Sequence, residues 1–290
     1  MALPAKTPTI EDIILQQDVR GVAALRPHLA ANYVTEAAKL VLEHPGKVLI
    51  ATGFYILSGK APETDGPPGA AAIAGALKAL GYEVAYVTDE FSVKAMKSCS
   101  GRDEVIVFPV VGHRESAVFG KKLIDEHDPS LLISIERAGL TGDGTFRNMR
   151  GLDISEFNAK IDHLFDQHPI SVGIGDGGNE IGMGNLAKEI PTAHEKLPKS
   201  PAVTTTTKLI AASCSNWGGY GLVAALSIIK KKNLLPTVEQ EMKWVRACVK
   251  AGAVDGFTGE AKEYVDGRSL EDNAVCLRDL HALLKRKGIG

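Results

Sequence analysis

From Lys47 to about residue 235, short apolar runs alternate with amphipathic stretches, and this alternation restricts the folds open to the chain. The runs read KVLIATG, YEVAYVTD, EVIVFPV, LLISIERAG, ISVGIGDGG and AVTTTTKLIAAS. Strands that are apolar throughout and are joined by crossover helices form parallel sheets that are covered on both faces. The sequence therefore predicts an α/β fold, with a three-layer, doubly wound, mostly parallel sheet and helices on both faces.

Helical stretches flank this alternating region. Residues 9–45 and 237–290 carry helical periodicity, and we expect them to form N-terminal and C-terminal helical extensions of a core at 47–235. Within the core, the helix predicted over 65–80 is expected to start with Asp65 as its N-cap. Because 290 residues is near the upper limit of what one hydrophobic core supports, we expect a single α/β domain.

Composition excludes several classes of protein. The formal net charge is −2 and no run of five like charges occurs, so a nucleic-acid-binding surface is not expected. The sequence contains no run of about 18 consecutive apolar residues, the length that a membrane-spanning helix needs. The four cysteines form no C-x-x-C pair, which argues against a zinc site and a disulfide framework and favours a reducing compartment. The first 17 residues lack the features of a signal peptide, so we expect a cytoplasmic protein.

Polar and glycine-rich segments follow the predicted strands. They read TGFYILSGKAPETDGPPG, TDEFS, VGHRES, ERAGLTGDG, GDGGNEIGMG and SNWGGYG, whereas the opposite connections read KALGYE, EHDPS and DQHPI. In an open parallel sheet, ligands bind outside the carboxyl ends of the strands. The sequence therefore predicts a functional site at this edge of the sheet.

The segment ISVGIGDGGNEIGMGN is the most glycine-rich of these. Gly173, Gly175 and Gly178 satisfy the G-x-G-x-x-G pattern of dinucleotide-binding loops, but Asp176 would then face the pyrophosphate. A nucleotide- or phosphate-binding enzyme is therefore only an alternative. A helix that begins near Asn179 would instead offer free N–H groups to a carboxylate. The structural alternative is that Asp176 caps this helix and the glycines shape the turn.

These segments together resemble the D-glutamate cyclase family. The resemblance is carried, in order from about Arg20 to about residue 235, by TGFYIL, ETDGPPGA, SIERAG, DGTFRNMRGLDIS, GIGDGGNEIGMG and SNWGGYGL. It implies a hydro-lyase that reversibly dehydrates D-glutamate to 5-oxo-D-proline. The longer eukaryotic members carry an additional N-terminal domain that has no counterpart in this sequence. A non-catalytic or companion domain that binds a small carboxylate or amino acid is therefore the alternative.

The reaction that the resemblance implies assigns roles to several residues. Cyclisation needs one group to accept an ammonium proton, one to protonate the departing oxygen, and donors for the oxyanion. We expect Asp176 and Glu180 to transfer protons, and Glu136 to act with them and orient the substrate. The expected substrate-binding residues are Gly53, Asp65, Arg137, Arg147, Gly175, Gly177, Gly178, Asn179, Asn216 and Trp217.

Some of these residues have specified roles and structural alternatives. Arg137 or Arg147 would clamp the α-carboxylate, and Asn179 with the adjacent amides would donate to the oxyanion. Glu136 and Arg137 could equally form a structural ion pair, and Arg147 could pin its own loop. Asn216 could be a helix N-cap, and Trp217 could be a packing residue.

A metal ion and self-association stay open. The sequence has enough carboxylates for magnesium or calcium, but it has no D-x-[DN]-x-[DN]-G loop and no H-x-x-x-H pair, so no metal ligands are assigned. A homo-oligomer is an open expectation. The aspartates that a divalent cation could use are Asp65, Asp143, Asp153, Asp162 and Asp176.

Overall fold

The computed structural model describes residues 7–290, and its centre is a six-stranded parallel sheet. The first six residues, part of the stretch in which no signal peptide is expected, lie outside the described residues. The strands pair in the order β3–β2–β1–β4–β5–β6, so the winding direction reverses between β1 and β4. This arrangement confirms the predicted doubly wound fold. The strands are β1 (Lys47–Gly53), β2 (Glu83–Thr88), β3 (Glu104–Val107), β4 (Leu131–Arg137), β5 (Ser171–Gly175) and β6 (Lys208–Ala211).

Helices cover both faces of the sheet. Successive residues of a strand point to opposite faces, and the strands accordingly contribute to two apolar clusters, a large one that includes Ile133 and a smaller one that includes Leu132. The helices are α1 (Ile10–Ile14), α2 (Tyr33–Glu43), α3 (Pro67–Ala79), α4 (Val93–Cys99), α5 (His113–His127), α6 (Asp162–Phe165), α7 (Ile190–Ala193), α8 (Ser215–Lys230), α9 (Val238–Lys250) and α10 (Leu270–Arg286).

Shorter elements complete the chain. None of the helices within residues 7–290 has the length and apolarity needed to cross a bilayer. Three 3-10 helices span Val22–His28, Ser155–Phe157 and Met183–Leu186, and two-residue strands pair Tyr55–Ile56 with Ala61–Pro62 and Tyr264–Val265 with Arg268–Ser269.

The C-terminal region differs from the predicted helical tail. Residues 251–269 between α9 and α10 are not helical, because Gly252 and Gly267 adopt positive φ angles and the short antiparallel pair turns the chain back. This non-helical segment places Asp266 and Arg268 next to the carboxyl edge of the central sheet, where both are buried.

Helices α3 and α8 cross in close contact because glycines lie at their crossing. A Cβ atom on Gly69 would lie 2.6 Å from Ile135 Cδ1 and 3.0 Å from Asn216 Cα, and a Cβ atom on Gly219 would lie 3.3 Å from Gly69 Cα. The glycines of α3 and α8 therefore allow the N-terminal ends of the two helices to meet.

We predict that Gly69→Ala lowers the free energy of unfolding by about 1–3 kcal/mol, because the added methyl group overpacks this crossing. Gly75→Ala in the same helix is the matched control. A Cβ atom at Gly75 meets nothing within 4 Å, so alanine there is expected to be neutral or to stabilise by about 0.5–1 kcal/mol. Urea denaturation of the two variants and the parent measures the difference, and equal midpoints for both variants would contradict the packing argument.

Candidate active site

Buried carboxyl groups gather outside the ends of β1 and β4, at the point where the winding of the sheet reverses. Oxygen atoms of Asp65, Glu136 and Asp176 lie within 4.8 Å of one another. The three side chains belong to the expected site residues, and the structure brings them together in one place. We use the name acidic cluster for the buried carboxyl groups here, which are Glu63, Asp65, Glu136, Asp176 and Asp266.

Asp65 is positioned by α8 and not by its own helix. Its carboxylate accepts hydrogen bonds from the backbone N–H groups of Ser215 (2.8 Å) and Asn216 (2.7 Å), the first residues of α8. In return, Asn216 Oδ1 accepts from the N–H groups of Gly66 (3.0 Å) and Gly69 (2.7 Å) at the start of α3. The prediction that Asp65 caps the helix over 65–80 is therefore wrong, as is the prediction of Asn216 as the cap of α8. Each residue caps the helix of the other.

Glu136 occupies a bulge in β4. Thr52 pairs with Ile135 and Gly53 with Arg137, so Glu136 is left out of the register, and its φ is +42°. A positive φ is strained for a residue with a Cβ atom. The bulge turns the carboxyl group of Glu136 toward the acidic cluster, where it accepts a hydrogen bond of 2.5 Å from Ser215 Oγ.

The glycine-rich loop closes around Glu180. The carboxylate of Glu180 accepts from the backbone N–H groups of Asp176 (3.1 Å), Gly177 (2.6 Å) and Gly178 (2.7 Å). No helix begins at Asn179, because Glu180 folds back onto these amides and a 3-10 helix starts only at Met183. The expected oxyanion donors of this loop are thus already hydrogen-bonded, and Glu180 holds the loop in shape. Asn179 donates to the carbonyl of Arg147 (2.9 Å).

The cations at the acidic cluster are not the two that the sequence suggests. Arg137 is fully buried on the far side of β4, where it pairs with Asp89 (2.5 Å) and donates to the carbonyl of Gly53 (3.0 Å). The structural ion pair of Glu136 with Arg137, the alternative to their expected substrate-orienting role, does not form. Arg147 pairs with Asp143 (2.7 Å) in its own surface loop, in agreement with its structural alternative.

Arg20 and Asp266, which sequence reasoning missed, complete the cluster. Arg20 forms salt bridges with Asp176 and with Asp266 (2.7 Å), and its guanidinium lies under the half-exposed ring of Phe257, 4.9 Å from the ring centroid. Neither residue follows a strand of the sheet, so the alternation pattern gave no signal for them. Both Arg20 and Phe257 are more exposed than the carboxyl groups of the cluster.

Trp217 and Arg268 lie behind the acidic cluster. Trp217 is fully buried and donates from Nε1 to the Asn273 side chain (2.9 Å), in agreement with the packing role weighed for it. The guanidinium of Arg268 lies 4.6 Å from the Trp217 ring centroid and is 3.8 Å from Asp266. Trp217 thus supports a cation and does not line the rim itself.

Burial and mutual repulsion favour the protonated forms of most of these acids. Burial raises the pKa of Asp65 to about 7, and burial with neighbouring carboxylates raises the pKa values of Glu63, Glu136 and Asp176 well above their ordinary range. Arg20 holds the pKa of Asp266 below its ordinary value against the effect of burial. The cluster therefore retains protons near neutral pH and can both donate and accept them.

A doubly wound α/β sheet with buried, proton-retaining carboxyl groups at its switch point defines an α/β protein with a candidate acid–base site. The family model described as D-glutamate cyclase-like, C-terminal, matches residues 10–281. The chain is also 35% identical over 222 residues to the mitochondrial D-glutamate cyclase of Homo sapiens, with 70% of this chain and 36% of that protein covered. The chain therefore belongs to the D-glutamate cyclase-like C-terminal family, and it spans about a third of the length of this relative.

One solved structure aligns with most of the chain. An exopolyphosphatase-related protein from Bacteroides fragilis covers 90% of this chain and 58% of its own, at 11% identity and a TM-score of 0.42. A likeness at this level supports no conclusion about function.

We predict that the free energy of unfolding decreases as the pH rises from about 4 to 7. The folded state keeps protons on Asp65 and its neighbours at pH values where the unfolded chain, with an ordinary aspartate pKa of 3.8, has lost them. Unfolding then releases protons, so rising pH favours the unfolded state. Urea denaturation at several pH values measures the slope.

Glu136→Gln should flatten this pH dependence, because it removes one of the acids with a raised pKa. Asp143→Asn is the control, since hydrogen bonds from Thr141 and Thr145 hold the pKa of Asp143 far below this window. A slope that is flat or rises with pH in the parent protein would contradict the proton-retaining cluster.

Proposed function

We propose that this chain is a D-glutamate cyclase-like hydro-lyase that interconverts D-glutamate and 5-oxo-D-proline by loss or addition of water. The observation that carries the proposal is the convergence of Asp65, Glu136 and Asp176, whose carboxyl oxygens lie within 4.8 Å of one another in the protein interior. Membership of the D-glutamate cyclase-like family supports the identity of the substrate.

The reaction requires two proton transfers that the acidic cluster can supply. In the cyclisation direction, the amine nitrogen forms a bond to the side-chain carboxyl carbon, and one carbon–oxygen bond of that carboxyl breaks. The nitrogen loses two protons as the ammonium group becomes a lactam N–H, and the departing carboxylate oxygen gains two as it leaves as water. One acid accepts protons from the nitrogen, and a second passes protons to the oxygen. Because the pKa of Asp65 is raised to about 7 and that of Asp266 is lowered, protonated and ionised carboxyl groups coexist near neutral pH.

We assign the two transfers to Glu136 and Asp176. Glu180, expected from the sequence as a partner of Asp176, has its carboxylate occupied by three loop amides. A protonated carboxyl can also donate a hydrogen bond to the developing oxyanion, which compensates for the engaged amides of the loop. Arg20 and Arg268 replace Arg137 and Arg147 as the cations near the substrate.

A divalent cation is a separate proposal for the same position. Carboxylate oxygens are ligands that magnesium and calcium accept, and Asp65, Glu136 and Asp176 could direct theirs to one ion. However, Asp176 is paired with Arg20, and Asp65 accepts from the N-terminal amides of α8. A cation would therefore have to displace Arg20. Of the five aspartates suggested from the sequence, the structure gathers only Asp65 and Asp176.

The alternatives make different predictions. A nucleotide- or phosphate-binding enzyme would need the amides of the glycine-rich loop, and Glu180 occupies them. A companion domain that only binds an amino acid would use the same cluster without turnover. A thermal-shift panel with D-glutamate, 5-oxo-D-proline, NAD and ATP separates these classes, because a ligand at a hundred times its Kd stabilises by about 2.7 kcal/mol.

The cellular setting stays a prediction. The four cysteines are free and buried, which is compatible with the proposed cytoplasmic location, and the human relative is mitochondrial by name. The small molecules D-glutamate and 5-oxo-D-proline are the proposed partners. Self-association also stays a proposal, and light scattering of the purified protein would test it.

We predict that the purified protein forms 5-oxo-D-proline from D-glutamate and also forms D-glutamate from 5-oxo-D-proline. Chiral chromatography measures both products. Glu136→Gln and Asp176→Asn should each lower kcat by about 100-fold or more, because each removes a proton-transfer group. Asp143→Asn is the matched control and should leave kcat unchanged, since this carboxylate is on the surface. The assay is run with EDTA and with added magnesium, calcium or manganese.

Two results would overturn the assignment. Full turnover in both cluster variants would exclude Glu136 and Asp176 as the proton-transfer groups. Tight binding of D-glutamate with no product in either direction, at every cation condition, would favour the binding-domain alternative.

A further inference from the structure

Two buried polar groups beside the acidic cluster lack hydrogen-bond partners within residues 7–290. The carboxyl group of Glu63 is on a residue that is only 3% exposed, and it forms no hydrogen bond within residues 7–290. Nη1 of Arg268, on a residue that is 7% exposed, likewise has no hydrogen-bond acceptor in the described part of the chain. Buried polar groups are nearly always hydrogen-bonded in native proteins. A carboxyl group without a hydrogen-bond donor and a guanidinium nitrogen without an acceptor point to a ligand that carries groups of both signs.

Arg268 is held in one orientation, so its free donor has a fixed direction. Its guanidinium lies over the ring of Trp217, and Nη2 donates to the carbonyls of Gln17 (2.9 Å) and Ser213 (3.3 Å). Nη1 is left facing Asp266, at a distance of 3.8 Å that is too long for a hydrogen bond. A planar guanidinium fixed in this way suits a carboxylate.

The acids of the cluster exceed the cations that are free to pair with them. Arg20 is committed to Asp176 and Asp266. Glu63 and Glu136 form no salt bridge with any residue that the structure describes, and the charges of Glu136, Asp266 and Asp65 act on Glu63. A buried excess of carboxylates needs protons or an external cation.

The excess carboxyl groups and the free donor of Arg268 are close enough to contact one small molecule. Carboxylate oxygens of Asp65, Glu136 and Asp176 lie within 4.8 Å of one another, and an oxygen of Asp266 lies within 4.8 Å of one of Asp65. Nη1 of Arg268 is 3.8 Å from the carboxylate of Asp266. An α-amino acid carries an ammonium group and a carboxylate on the same carbon. Its ammonium offers three N–H donors to converging carboxylates, and its carboxylate offers an acceptor to a guanidinium.

We propose that the acidic cluster recognises the zwitterionic head of an α-amino acid, with Asp65, Glu136 and Glu63 around the ammonium group and Arg268 Nη1 bound to the α-carboxylate. Arg268 is then a specificity-determining residue, and Trp217 is the positioning residue that orients it. The inference rests on the proposed function for the location of the site, but it does not require that any reaction takes place there.

Isothermal titration of the parent protein, in buffer with EDTA, tests the inference with three probes. D-glutamate carries both groups, glutarate lacks the ammonium group, and 4-aminobutyrate lacks the α-carboxylate. We expect each analogue to bind at least about tenfold more weakly than D-glutamate, because each leaves buried polar groups of the site unpaired. L-glutamate and both enantiomers of aspartate and alanine extend the panel to the substrate class.

Variants distinguish recognition from a structural effect. Arg268→Gln should weaken D-glutamate binding by about tenfold or more and leave 4-aminobutyrate binding unchanged, because that probe has no α-carboxylate to lose. Glu136→Gln should weaken the binding of D-glutamate but not that of glutarate, which has no ammonium group. Arg246→Gln, which removes an exposed guanidinium that pairs with Glu263, should alter neither. General damage to the fold would instead weaken all probes equally.

The outcomes separate this inference from the proposed reaction. Glutarate or 4-aminobutyrate binding within about twofold of D-glutamate, or no binding of any amino acid in the panel, would overturn the inference even if turnover were found. Discriminating binding without turnover would support the inference and contradict the proposed hydro-lyase.

Discussion

The reciprocal capping of α3 and α8 is the interaction on which the candidate site depends. The start of each helix leaves backbone N–H groups without partners. Here Asp65 accepts from the first N–H groups of α8, and Asn216 accepts from those of α3. This exchange is geometrically feasible only because Gly69 and Gly219 let the helices meet without Cβ atoms between them. The same contact fixes Ser215, whose hydroxyl group holds Glu136. Helix packing and the placement of two carboxyl groups are therefore one feature of the structure.

The fold and the general position of the site could be predicted from the sequence because both follow from local patterns. Continuous apolar runs specify buried parallel strands, and such strands carry their ligands at the carboxyl edge. Asp65 and Asp176 follow β1 and β5, Glu136 lies near the end of β4, and the three carboxyl groups meet at this edge. The non-helical residues 251–269 and the absence of a helix after Asn179 could not be predicted in the same way. In the first place, glycines with positive φ and a short local strand pair turn the chain. In the second, the Glu180 side chain accepts from amides two to four residues before it, and neither feature is specified by hydrophobic periodicity.

The roles of individual polar residues could not be predicted, because they depend on partners that are distant along the chain. From the sequence, Asp65 is predicted to cap its own helix. Its carboxylate instead accepts from the first N–H groups of α8, 150 positions along the chain. Arg137 reads as a substrate clamp, but the direction of its side chain commits it to Asp89. Arg20 and Asp266 come from opposite ends of the chain, and they are joined by a salt bridge that no pattern within one segment encodes. Buried charges impose this long-range pairing, since each must find a counter-charge or a proton.

Glu136 gives a physical reason to regard the acidic cluster as functional and not only as a buried network. A regular continuation of β4 would place Glu136 and Arg137 on opposite faces with ordinary φ angles. The chain instead bulges at Glu136 and holds it at a φ of +42°, a conformation that costs about 1–3 kcal/mol for a residue other than glycine. A glycine would avoid this strain, but it would also remove the carboxyl group. Burial adds a further cost, since it raises the pKa of Glu136 well above its ordinary value. A residue that contributed only to stability would incur neither cost, so the bulge is best explained by the need for an acid at this position.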